Sequence, residues 1–108
     1  AAGALAFLQG GKVREIINAA ALALKNMLGL TCDPVAGLVE VPCIKRNSYG
    51  AVNAVTSTQL AMAGIESAIE PDDVIDSMRR IGNSMSTCLK ETSTGGLAVT
   101  ESAKNYLK

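Results

Sequence analysis

The stretch KVREIINAAALALKNML, Lys12–Leu28, carries apolar side chains at Val13, Ile16, Ile17, Ala20, Leu24, Met27 and Leu28, the i, i+3, i+4, i+7 spacing of one helical face. Its other side is hardly polar. Ala19, Ala21, Leu22 and Ala23 make the segment apolar most of the way round, which predicts a helix packed on several sides, with Gly29 as its stop. Outward from it, periodicity is lost in TCDPVAGLVEVPCIKRN, Thr31–Asn47, where Pro34 and Pro42 interrupt any helix. This reads as an ordered loop with a short extended piece at Leu38–Val41. Helical spacing resumes near Ser48 and runs to Ala63, with Val52, Val55, Leu60 and Ala63 inward and Ala51 and Ala54 small enough for close approach. Pro71 then stands at a first helical position, Asp72 and Asp73 favour the positive helix end, and Val74, Ile75, Met78, Ile81, Met85 and Leu89 form the next stripe. KETSTGGLAVT, Lys90–Thr100, is a second ordered loop before a short final helix of about seven residues from Ser102. The expected fold is all-α, three to four helices with two ordered loops.

Composition narrows the function. A chain of 108 residues is one domain. Ten basic against ten acidic residues give a net charge of +0, so no excess of positive charge exists to grip nucleic acid. No run reaches the roughly 18 apolar residues that span a bilayer, and nothing in Ala1-Ala2-Gly3-Ala4 marks a signal peptide. No membrane association and a cytoplasmic location are expected. The absence of histidine excludes Ser-His and Cys-His pairs and every His-ligated metal site within the chain. Three cysteines, Cys32, Cys43 and Cys88, show no CxxC pair, and an odd count suits a disulfide framework poorly.

Several residues remain as carriers of chemistry. Cys32 and Cys43 both fall in the irregular stretch, where a loop aims two thiols at one point; they read either as metal ligands or as buried free thiols, and with no histidine an iron-sulfur site is favoured over catalytic zinc. Cys88 continues the Met78, Ile81, Met85 spacing and reads as a small buried hydrophobe on a helix face. The loop from Lys90 offers hydroxyls at Thr92, Ser93 and Thr94 and backbone N–H groups at Gly95 and Gly96, a composition that suits a bound carboxylate or phosphate, or simply a glycine-rich turn. Lys45, Arg46 and Asn47 suit an anionic ligand or a solvated charged turn.

Two motifs sharpen this reading. Gly29-Leu30-Thr31-Cys32-Asp33-Pro34-Val35, followed by Val41-Pro42-Cys43 and Arg46-Asn47, closely resembles the iron-sulfur-dependent bacterial L-serine dehydratases in their alpha chain or C-terminal catalytic domain. Lys90-Glu91-Thr92-Ser93 with Gly95-Gly96-Leu97-Ala98 is similar to the same family's second signature. The resemblance covers essentially the whole chain. It implies a lyase that takes L-serine to 2-aminoacrylate, and so to pyruvate and ammonia, without pyridoxal phosphate. A [4Fe-4S] cluster with one open iron position would act as Lewis acid on the substrate hydroxyl. Cys32 and Cys43 match two cluster ligands, Asp33, Arg46 and Asn47 match positions around them, and Thr92, Ser93, Gly95 and Gly96 match the second wall of the site. Cys88 matches no ligand. The resemblance also implies a third cysteine and a catalytic base upstream, a beta chain or N-terminal beta domain as partner, and a homo-oligomer. These residues are then expected to be part of a larger helical catalytic domain, inactive alone. A non-catalytic helical interaction module and an iron-sulfur redox sensor are the competing readings.

Overall fold

The computed structural model describes residues 1–106, and the expectation of an all-α fold holds. Five α-helices form among the described residues: α1 (Ala2–Leu8), α2 (Val13–Lys25), α3 (Cys43–Met62), α4 (Pro71–Ser84) and α5 (Glu101–Lys104). Short 3-10 turns lie at Val35–Gly37, Thr87–Leu89 and Gly96–Val99. The sequence pattern had no place for α1, because a short Ala-rich run carries too few large side chains to show a stripe. The final helix expected from Ser102 begins one residue earlier and ends at Lys104; its expected continuation to residues 107 and 108 lies outside the described residues.

The core is made of small side chains. Ala2 and Ala6 of α1, Ala19 of α2, and Ala54 and Ala61 of α3 are buried together, with Ile16, Leu22 and Ala23 packed against them. Alanine faces let helix backbones approach closely, and that closeness admits polar locks between helices. The buried Thr58 hydroxyl shares its hydrogen between the carbonyls of Ala2 at 2.9 Å and Ala54 at 2.8 Å. Asn53 of α3 donates to the Ala23 carbonyl of α2 at 2.9 Å and accepts from Asn26 at 2.9 Å. Asn18 of α2 donates to the carbonyl of Ile65 and accepts from the amide of Ser67, each at 2.5 Å, which moors the α3–α4 connection.

The inward face of α3 is therefore not the one its larger residues suggest. Val52 and Val55 are exposed, as is Ala63, while Ala54, Ser57, Thr58 and Ala61 point inward. The expectation for α2 fares better: it packs against α1, α3 and α4, although Val13 and Ile17 reach the surface. The molecule is a flat slab, 51 × 26 × 15 Å, with a radius of gyration of 16.4 Å, above the roughly 13 Å of a compact chain this long.

Three boundaries move relative to expectation. α2 ends at Lys25, three residues early. α3 begins at Cys43, where Pro42 serves as its N-cap, so Cys43, Lys45, Arg46 and Asn47 are helical. α4 begins at Pro71 as expected but leaves the helix at Met85 (ψ 140°), well before Leu89. Beyond it the chain is drawn into hydrogen bonds with Cys32. No strand forms at the extended piece expected at Leu38–Val41, where Val39 has φ +55° just after the 3-10 turn at Val35–Gly37, and among the described residues the lone bridge pairs Cys32 with Lys90.

Because the α-helical contact is alanine on alanine, Ala19→Leu is expected to lower stability by about 1–3 kcal/mol through overpacking, while Val52→Ala changes it by less than about 0.5 kcal/mol. Urea unfolding followed by circular dichroism measures both; a larger loss at Val52 would restore the valine face to the core.

Candidate functional site

At the loop end of the slab, the segment after α4 runs alongside Cys32. The Cys32 amide donates to the Leu89 carbonyl at 2.9 Å, and the Cys32 carbonyl accepts from the Glu91 amide at 2.8 Å. Its backbone is thus fixed on both sides, while the residue is exposed and its thiol is free. Asp33, next along the chain, is buried at 2% exposure. Its Oδ2 accepts from the Leu97 amide at 2.6 Å, and its Oδ1 accepts from the Arg46 guanidinium at 2.5 Å and from the Thr31 hydroxyl at 3.3 Å. Arg46 also donates to the Thr31 carbonyl at 2.8 Å. Ser93 completes the join by donating to the Pro34 carbonyl at 2.6 Å.

Gly96 and Gly95 are required by these contacts. Gly96 has φ +58°, and a Cβ there would lie 2.8 Å from Asp33 Cγ and closer still to Oδ2. A side chain at Gly95 would meet the Cys88 carbonyl oxygen and Sγ, each at 2.8 Å. The second loop does hold a carboxylate through its backbone, though not through the Gly95 or Gly96 amide. That carboxylate is the chain's own Asp33, and the donor is the backbone amide of Leu97, which no residue type marks out.

Arg46 likewise serves an internal anion. One helical turn separates it from Cys43 at the start of α3, and residues so spaced share a helix face. The grip of Arg46 on Thr31 and Asp33, the two neighbours of Cys32, brings both cysteine segments together. Asn47 is exposed and outside this network. Thr92 donates to the Cys88 carbonyl at 2.6 Å, so its hydroxyl, like that of Ser93, shapes the loop. Cys88 is not on the α4 face: it lies half-buried in the 3-10 turn at Thr87–Leu89, with Sγ 3.1 Å from the Ser86 hydroxyl.

Burial pushes the Asp33 carboxyl up, but the Leu97 amide, the Arg46 guanidinium and the Thr31 hydroxyl outweigh it and hold the group below its ordinary value of 3.8. Beside Cys32 opens a cleft of about 450 Å³ lined by Leu30, Gly82, Asn83, Met85, Leu89, Lys90 and Glu91. Another, of about 380 Å³ between α2 and the α3–α4 connection, is lined by none of the candidate residues.

Residues 1–98 match the family described as serine dehydratase alpha chain. The chain belongs to that family. It is 53% identical over 108 residues to the probable L-serine dehydratase, alpha chain, of Bacillus subtilis (strain 168), covering all of this chain and 36% of that protein. To the L-serine dehydratase, alpha chain, of Peptoniphilus asaccharolyticus it is 49% identical over 98 residues, 91% of this chain and 34% of that one. The L-serine dehydratase of Streptomyces coelicolor is 51% identical over 100 residues, 92% of this chain and 22% of that protein. The chain spans about a third of the length of these alpha-chain relatives.

For a cluster, the described residues offer two thiols on segments that Arg46 joins, and no third ligand beside them. Cys32 and Cys43 are free thiols on adjoined segments, yet among the described residues no three Cys, His, Asp or Glu gather to hold a metal ion.

Since Asp33 is held below its ordinary value, its contribution to stability is full above about pH 3.8 and is lost as the pH falls from there through the lower folded value. Asp33→Asn is expected to remove about 2–3 kcal/mol at neutral pH and to abolish that acid-dependent part of the unfolding curve. Melts of both proteins across the acid range check this; parallel curves would show that Asp33 is not the titrating group.

Proposed function

We propose that this chain is part of an iron-sulfur L-serine dehydratase and supplies Cys32 and Cys43 as two of three thiolate ligands of a [4Fe-4S] cluster. The observation that carries the reading is the exposed Cys32 thiol on a backbone pinned from both sides, in a chain whose family relatives are named L-serine dehydratases. When bound, the cluster supplies a Lewis-acidic iron for the substrate hydroxyl.

The chain's own residues do positional work. Asp33 and Arg46 hold the two cysteine segments against each other. Ser93 fastens the second loop to the first through the Pro34 carbonyl, while Thr92 shapes the second loop through the Cys88 carbonyl. Gly95 and Gly96 let it approach closely enough for Leu97 to reach Asp33. The third thiolate and the base that removes the α-proton come, in this reading, from the larger part of the alpha chain that these residues do not span; with no histidine here, the chain offers no imidazole for the task. The same logic makes residues 1–108 part of a larger helical catalytic domain, inactive alone.

The alpha-chain names of the relatives support a beta chain or beta domain as partner, and a homo-oligomer goes with it. Three free cysteines suit a reducing, cytoplasmic location; no helix among the described residues is long and apolar enough to cross a membrane.

Full-length protein reconstituted anaerobically with iron and sulfide is expected to release pyruvate from L-serine, and Cys32→Ala or Cys43→Ala to lose both bound iron and turnover, whereas Cys88→Ala keeps them. A loaded cluster without turnover of any hydroxy amino acid would favour a redox sensor. Retention of no iron by the wild type would favour a non-catalytic interaction module.

A further inference from the structure

The cleft beside Cys32 carries charge of both signs that the fold leaves uncommitted. Lys90 and Glu91 are exposed and line it together with Cys32 and Asn83. Among the described residues neither charged side chain joins an ion pair or a hydrogen bond, whereas Arg46 is consumed by Asp33 and the hydroxyls of Thr92 and Ser93 by backbone carbonyls. Adjacent residues of an extended segment ordinarily project to opposite sides. Here both residues line the same cleft, and Glu91 has φ +60°, a left-handed conformation that is costly for a residue with a side chain. Its amide bond to the Cys32 carbonyl holds that conformation. The turn follows directly on the Cys32–Lys90 bridge, so both residues border one cleft with the cysteine.

We infer that Lys90 and Glu91 recognise the two charges of the amino-acid substrate, Lys90 taking the carboxylate and Glu91 the ammonium group. This rests on the lyase reading above and deepens it. A zwitterion needs one cation and one anion at close range, and charge-assisted hydrogen bonds from each fix its orientation. With both charges held, the substrate hydroxyl is left to face Cys32. The pair selects amino acids over hydroxy acids or amino alcohols because either partial analogue leaves one protein charge unanswered.

The test uses full-length protein reconstituted with iron and sulfide, with Lys90→Met, Lys90→Arg and Glu91→Gln beside the wild type, each checked for equal iron content. Lys90→Met is expected to raise KM for L-serine about tenfold or more and to weaken inhibition by 3-hydroxypropionate, which has no ammonium group, while leaving ethanolamine, which has no carboxylate, unchanged. Glu91→Gln should also raise KM for L-serine but weaken inhibition by ethanolamine and leave that by 3-hydroxypropionate unchanged, and Lys90→Arg should restore most of the affinity. KM values within about twofold of wild type in both charge-removing variants, or equal weakening of both analogues by each variant, would overturn the assignment. If the wild type holds a cluster but does not turn over serine, the lyase reading fails separately; L-serine binding by calorimetry to the same proteins then decides the recognition pair on its own.

Discussion

A single buried carboxylate organises the loop end of this molecule. Asp33 accepts from Arg46 on α3, from the Leu97 amide in the second loop and from Thr31 in its own loop, so the first loop, the start of α3 and the second loop meet on one side chain. A buried carboxylate without such partners would be strongly unfavourable, and removing any one donor weakens the case for burying it at all. The site is therefore built as a unit. The loops cannot separate without stranding a charge, and Cys32, the residue beside Asp33, inherits its position from that requirement.

The helical layer supplies the base on which this unit rests. Alanine contacts among α1, α2 and α3 bring backbones close enough for Thr58 and Asn53 to bond across them, and Asn18 of α2 moors the α3–α4 connection. α3 then links the layer to the site: its middle is buried against α1 and α2, and its first turn carries Cys43 and Arg46. The position of the cysteine segments follows from helix packing at the other end of the same rod. What the chain leaves free at the surface, the Cys32 thiol with Lys90 and Glu91, is what a ligand would meet.

The sequence was legible where punctuation is strong. Pro71 with Asp72 and Asp73 fixed the start of α4, and the prolines and glycines located both loops. It misled where one residue has two meanings: Pro42 breaks the preceding chain but also begins α3, which moved Cys43, Arg46 and Asn47 from loop to helix. Large residues misled on α3, where Val52 and Val55 are exposed because the close-packed face is made of alanine, serine and threonine. Cys88 kept helical spacing past the true end of α4, because local periodicity knows nothing of the pairing with Cys32 that draws the chain away. The motifs point to both loops as candidate site segments, but nothing in them says that the loops bind each other: the Asp33–Leu97 contact joins residues 64 positions apart through a backbone N–H, which no residue type announces.

Amide hydrogen exchange in wild type and Arg46→Met tests most directly whether Asp33 holds the two loops together as one unit. The structure predicts that the amides of Cys32, Glu91 and Leu97 lose protection together in the variant, while those in the α1–α3 layer are unchanged. Continued protection of Leu97 and Glu91 without the guanidinium would contradict it, and would mean that the loops are joined independently of the buried ion pair.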